Sequence, residues 1–190
     1  MAIGATMTHH LALFDESTST LATALLQHRL VVATAESCTG GLLAAALTAI
    51  SGSSQWFDRG YITYSNQAKQ QELGVNPDTL DKYGAVSEQT AMEMARGVLG
   101  MSAAADIALS TTGIAGPSGA TPGKPVGMVC FGFARRVGEG VVAHALTMVF
   151  EGDRHQVRQQ AVLFALQKAL DLINPHLATS TDFAPGSSDQ

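Results

Sequence analysis

The sequence predicts an α/β fold of three layers, α/β/α, with helices on both faces of a mixed sheet. Three observations predict it. Short apolar, β-branched runs alternate with helical patterns early in the chain. Two longer apolar runs follow one another late, joined by a turn. The chain, at 190 residues, has the length for one sizeable core and shows no internal repeat.

In order, 17–29 reads as a first helix, with Leu21, Ala24 and Leu25 at helical spacing behind Ser and Thr caps. Residues 30–35 are a buried strand and 39–50 a Leu/Ala-rich helix. A turn at 51–54 leads to a strand over 57–65, where Phe57, Tyr61, Ile62 and Tyr64 mix with polar residues. A short helix over 66–73 ends at Gly74, and another opens at Pro77. Ser87 caps a helix to Leu99 that lines up Ala91, Met94, Ala95 and Val98. Residues 106–111 are a strand, and 112–125 a Gly/Pro-rich loop long enough to suggest function. Strands over 126–134 and 141–150 form an antiparallel hairpin. A last helix, 153–173, is stopped by Pro175. The expected layout is a flexible extension over 1–15, one domain over 16–175 and a disordered tail over 176–190.

The net charge of −5, with no basic cluster, argues against nucleic acid and membrane surfaces as partners. Only 14% of residues are charged, a low fraction that suggests a surface covered by another copy, so a homo-oligomer is expected. Two cysteines make neither a disulfide framework nor a zinc pattern. With no signal peptide and no apolar run of membrane-spanning length, the cytoplasm is the expected compartment. No metal or cofactor motif is present, and none is expected to be needed.

The stretch from Val31 to Leu47 carries the chemistry. A strand ends in Glu36-Ser37-Cys38-Thr39-Gly40-Gly41 and a helix opens. Free first-turn N–H groups there attract an anion. Ser37, or its rival Cys38, is a possible nucleophile, and the amides from Cys38 to Gly41 could hold an oxyanion. Equally, the segment reads as a plain strand-to-helix turn with Cys38 a small buried thiol. A serine needs a base, and none of the scattered histidines stands in a triad-like setting. Lys69, one turn into a helix, can be that base if burial lowers its pKa; otherwise it is a solvated helix residue. Tyr64 can relay protons or be an ordinary strand aromatic. Thr112 and Gly113 end another strand and can meet a substrate or simply turn the chain. Arg154 and Arg158 can grip a phosphate or carboxylate, or pair with Glu151 or Asp153 on the surface.

Several motifs in order carry a resemblance. They are Ala33 to Gly41, Gly60 to Asn66 with Lys69, Tyr83 to Ser87, Thr112 to Pro117, Lys124 to Gly127, and Gly152 to Arg154 with Arg158. Together they resemble the CinA C-terminal-domain family, whose bacterial members include nicotinamide-mononucleotide amidases. Ser118 departs from a usual glycine, and the tails are extra. The resemblance implies deamidation of nicotinamide mononucleotide to nicotinate mononucleotide and ammonia, in NAD recycling. It carries the nucleophile to Ser37, its partner to Lys69 and a further catalytic role to Tyr64. Thr39, Gly40, Gly41, Thr112, Gly113 and Arg154 become the substrate-binding set for a pyridine nucleotide. Many relatives carry an extra N-terminal domain; this chain is expected to be the stand-alone form. The alternatives are a nucleotide-binding regulatory module, or an amidase for a related amide.

Overall fold

The computed structural model describes residues 3–173, with side chains from residue 16 onward. The tail expected over 176–190 lies outside the described residues. The first helix, α1 (Ile3–His28), begins well before the expected 17 and takes in most of the segment read as an extension. The Ser/Thr run that suggested a boundary does not break it. The Thr20 and Thr23 hydroxyls donate to the carbonyls of Glu16 and Ser19, one turn back, and so stay satisfied inside the helix.

Then come β1 (Val32–Glu36), α2 (Leu42–Thr48), a single 3₁₀ turn (Ser53–Gln55), β2 (Phe57–Ile62), α3 (Asn66–Leu73), α4 (Pro77–Tyr83) and α5 (Glu88–Met101). The hairpin β4 (Met128–Val137) and β5 (Gly140–Val149) follows β3 (Ile107–Gly113), and α6 (Arg154–Ile173) closes the order. Side-chain caps start three of these helices where expected. Ser65 accepts from the Ala68 amide, Asn76 from Asp78 and Ser87 from Thr90. Two elements are shorter than expected. The second helix starts at Leu42, because Gly40 (φ 58°) and Gly41 (φ 95°) hold the left-handed backbone that glycine tolerates. The second strand stops at Ile62, before Tyr64.

The five-stranded sheet runs β2-β1-β3-β4-β5. β2, β1 and β3 are parallel, and β4 and β5 run antiparallel beyond them. The chain steps from β1 outward to β2, then returns past β1 to β3. That reversal puts a crevice at the carboxyl ends of β1 and β3, the place where open α/β sheets bind ligands.

The strands read as apolar on both sides because both faces are covered. On one face Val32, Leu109, Phe131 and Phe133 pack with Leu21 and Leu25 of α1, Leu43 and Leu47 of α2, and Val157 and Ala165 of α6. The other face is lined by Ala33, Ala35, Ala108 and Ala134, and meets Met94, Val98 and Leu99 of α5. Small residues there let α5 lie close. A Cβ on Gly132 would collide with the Ala91 carbonyl and the Ser110 hydroxyl.

Candidate active site

Ser37 follows β1 directly, and its amide still bonds to the Thr111 carbonyl at 2.9 Å, extending the β1–β3 ladder to the crevice floor. Lys69 lies on the first turns of α3, whose start is fixed by the Ser65 cap. The two side chains meet: Lys69 Nζ is 3.1 Å from Ser37 Oγ. Lys69 is 1% exposed and Ser37 9% exposed. Among the described residues no carboxylate pairs with this lysine. Its other neighbours are the carbonyl oxygens of Thr63, at 2.8 Å, and Tyr64, at 3.4 Å.

This set can hold the amine in either charge state. The amine donates to Ser37 Oγ and to both carbonyls; once neutral it would keep two N–H bonds to the carbonyls and turn its lone pair to the serine hydroxyl. Burial also pulls the Lys69 pKa below its ordinary 10.5, with the Cys38 thiol a smaller opposing influence. For Cys38 itself, burial pushes the thiol up to about 12, so at neutral pH it is a protonated, inert neighbour.

The helix end expected to attract an anion is already occupied. The fully buried Glu36 carboxylate turns back under the turn and accepts the amides of Gly41, Leu43 and Ala44 at 2.8–3.0 Å, with the Thr39 hydroxyl at 2.7 Å. Thr39 Oγ1 also meets Thr111 Oγ1 at 2.7 Å. One carboxylate therefore satisfies the orphan donors of α2 and cancels the positive end of its dipole. The Gly40 amide is also in use, donating to the Ser37 carbonyl at 3.1 Å. Of the four amides proposed for an oxyanion, Gly40 and Gly41 are thus taken; among the described residues Cys38 and Thr39 donate to no backbone carbonyl, though the Cys38 amide also faces its own thiol.

The other expected site residues fall around this centre. Thr112 is buried, with its hydroxyl on the Ala85 carbonyl at 2.7 Å, so its contact is with the loop before α5. Gly113 ends β3 beside it. Tyr64 is 61% exposed, and its hydroxyl meets Arg154 Nη2 at 3.1 Å. The phenol that a proton relay requires is therefore engaged with Arg154, and only the Tyr64 carbonyl touches Lys69. Arg154 also donates to the Gly116 carbonyl at 2.9 Å, tying α6 to the Gly/Pro-rich loop. Arg158 donates to the Thr39 carbonyl at 2.7 Å and stands over Gly40. Neither arginine pairs with Glu151 or Asp153, the alternative reading of the sequence.

Sequence reasoning missed the anchoring work of Glu36, Thr111 and the Thr63 carbonyl. A carboxylate just before a Gly-Gly helix start was the available signal for Glu36. A carbonyl leaves no trace in residue identity.

A hydroxyl against a buried, desolvated amine, at the switch point of an α/β sheet, defines a candidate acyl-transfer centre of the serine–lysine kind. The model of the CinA C-terminal domain matches residues 15–173, and the chain belongs to that family. The nicotinamide-nucleotide amidohydrolase PncC of Enterobacter agglomerans is 58% identical over 139 residues, covering 73% of this chain and 82% of its own. The protein of the same name from Escherichia coli K12 is 54% identical over 136 residues, covering 72% and 80%. A CinA-like protein of Chlorobaculum tepidum is 58% identical over 133 residues, which span only 31% of that protein. Among solved structures, the competence/damage-inducible protein of Agrobacterium tumefaciens superposes with a TM-score of 0.77 at 43% identity, covering 85% of this chain and 96% of its own. That of Enterobacter asburiae gives 0.78 at 41% identity, covering 84% and 98%.

Proposed function

We propose that this chain is an amidohydrolase that releases ammonia from nicotinamide mononucleotide, with Ser37 as nucleophile and Lys69 as its base. The observation that carries this reading is the buried Lys69 amine 3.1 Å from the Ser37 hydroxyl. The identity of over half to amidohydrolases of that name supports the substrate.

Neutral Lys69 takes the Ser37 proton as Oγ attacks the amide carbon. The oxyanion is held by the Cys38 and Thr39 amides, the two left uncommitted by the backbone. Collapse expels the amide nitrogen, which leaves as ammonia with the proton from Lys69. Water, deprotonated by Lys69, then hydrolyses the acyl-serine to the free carboxylate. The cationic pyridinium ring makes the amide carbon more electrophilic throughout.

Arg154 stands exposed at the mouth, oriented by Tyr64 and Gly116, and offers its remaining donors to the substrate phosphate. The exposed Tyr64 ring offers its face to the pyridinium. Two free, buried cysteines suit a reducing compartment, and the reaction is assigned to the cytoplasm.

The test is ammonia release from nicotinamide mononucleotide. Wild type releases it, and Ser37→Ala loses ~10³-fold or more of the rate while keeping its circular dichroism. Substrate binding without release would leave a regulatory binding module instead.

A further inference from the structure

We infer that Arg158 is a positioning residue for the proposed oxyanion site: its guanidinium, acting through two peptide groups of the Ser37 turn, strengthens the Cys38 amide as a donor. The inference rests on the amidase reading and adds a residue to it.

The turn is a short hydrogen-bonded relay. Arg158 Nη2 donates to the Thr39 carbonyl at 2.7 Å. That carbonyl shares its peptide group with the Gly40 amide, which donates to the Ser37 carbonyl at 3.1 Å. The Ser37 carbonyl in turn shares its peptide group with the Cys38 amide, one of the two proposed to hold the oxyanion. A peptide group that accepts at its oxygen becomes a better donor at its nitrogen, so polarisation passes along such a chain. A cation at the head of the chain is therefore felt at Cys38, two peptide groups away. The Leu42 amide also donates to the Thr39 carbonyl, at 3.2 Å, so both lone pairs of that oxygen are engaged. At the other end the Cys38 amide faces its own thiol, a weak acceptor that an oxyanion displaces.

Arg158 suits this role because nothing neutralises it. Among the described residues no carboxylate pairs with it. Its side chain is half-buried, and its Nε is shut from water without a hydrogen-bond partner. A guanidinium that is unpaired and partly desolvated acts over a longer range than one in a surface ion pair. The turn needs that field. Glu36, fully buried beneath it, holds a carboxylate against the amides of Gly41, Leu43 and Ala44. A negative charge there opposes a second one forming at the neighbouring amides. In the proposed mechanism Lys69 is neutral until Ser37 gives up its proton, which leaves Arg158 as the cation held on the turn against Glu36. The Cys38 thiol senses the same groups. Burial is the main cause of its raised pKa and its own amide opposes that; Glu36 raises it further, and Lys69 and Arg158 lower it.

An effect of this kind operates only where charge develops on the substrate oxygen. It changes kcat and leaves ground-state binding alone. A plain structural clamp between α6 and the turn would instead weaken every ligand alike.

Ammonia release from nicotinamide mononucleotide by four forms of the full chain tests it, wild type and three variants that keep its circular dichroism. Arg158→Gln keeps an N–H donor without the charge and lowers kcat by about 10- to 100-fold, with KM unchanged. Arg158→Lys keeps a donor and the charge, and recovers most of that loss. Arg158→Ala loses both; guanidinium at millimolar concentration restores part of its rate, while urea, of the same planar shape but uncharged, restores none. The second readout is binding of the substrate analogue with an aldehyde in place of the carboxamide. Ser37 Oγ adds to its carbonyl carbon and passes its proton to Lys69, leaving the former carbonyl oxygen as an alkoxide in the oxyanion site. Arg158→Gln weakens this analogue by the factor it takes from kcat/KM and leaves the affinity for nicotinate mononucleotide unchanged. A wild-type kcat in Arg158→Gln, a loss that falls on KM, or equal losses in Arg158→Gln and Arg158→Lys would each overturn the inference. So would an Arg158→Ala that guanidinium does not rescue or that urea rescues as well, or equal weakening of the aldehyde and the product. A wild type that releases no ammonia would remove the amidase reading itself, and this inference with it.

Discussion

An amine shut away from water gives up its proton more readily, and Lys69 meets that condition, buried among two carbonyls and the Ser37 hydroxyl. The sign of the effect can be measured. Between the lowered pKa and 10.5, the unfolded chain keeps a proton on this lysine that the folded chain has released. Stability therefore rises with pH across that window, and Lys69→Met flattens the rise in urea midpoints taken at neutral and alkaline pH. With the neutral amine as the proposed base, kcat/KM for ammonia release is expected to rise through the same lowered pKa. Lys69→Ala costs about 10²- to 10⁴-fold in kcat; an unchanged rate and pH profile would remove its role. The pairing of Ser37 with Lys69 was legible because a serine needs a base and no histidine stands in a triad-like setting, although each residue also had an ordinary reading in a turn or on a solvated helix. The commitments of Thr39, Thr112 and the Tyr64 hydroxyl were not. Residue type states what a side chain can bond, while the fold decides which partner arrives first.

At the scale of elements, the turn after β1 works because its own helix is already satisfied. Glu36 supplies α2 with the acceptor that its first turn lacks, so the Ser37 turn is held rigid from beneath. Glu36→Gln keeps the shape but turns an acceptor into a donor facing amides. It lowers stability by about 1–3 kcal/mol in denaturant melts and slows ammonia release; a fully stable, fully active variant would show that the anchor is dispensable. The small-residue face under α5 has a matching test. Gly132→Ala drives a methyl into the Ala91 carbonyl and costs about 1–3 kcal/mol in the same melts; a neutral result would mean that α5 can shift away. Elements were the most readable scale. The apolar periodicities placed every strand and helix, and errors fell at ends where glycine conformation or threonine back-bonding decides the boundary.

At the scale of the whole molecule, strand order does the assembly. The reversal at β1 brings together a serine from β1's end, a lysine from α3 and an arginine from the start of α6. Polar strand ends suggested a shared crevice, and the parallel neighbours β2, β1 and β3 supply it. The closure by α6 was not readable, since Arg154 and Arg158 reach carbonyls and a phenol across long stretches of chain. If Arg154 grips the phosphate, Arg154→Ala raises KM for nicotinamide mononucleotide roughly 10- to 100-fold and leaves that for nicotinamide riboside unchanged. Equal effects on both substrates would assign the phosphate elsewhere.

The most direct measurement is mass spectrometry of the enzyme quenched in acid during turnover of nicotinamide mononucleotide. The account predicts a nicotinate-mononucleotide ester on the peptide that holds Ser37, retained in Cys38→Ala and absent in Ser37→Ala. An adduct that persists in Ser37→Ala, or ammonia released by that variant at the wild-type rate, would contradict it.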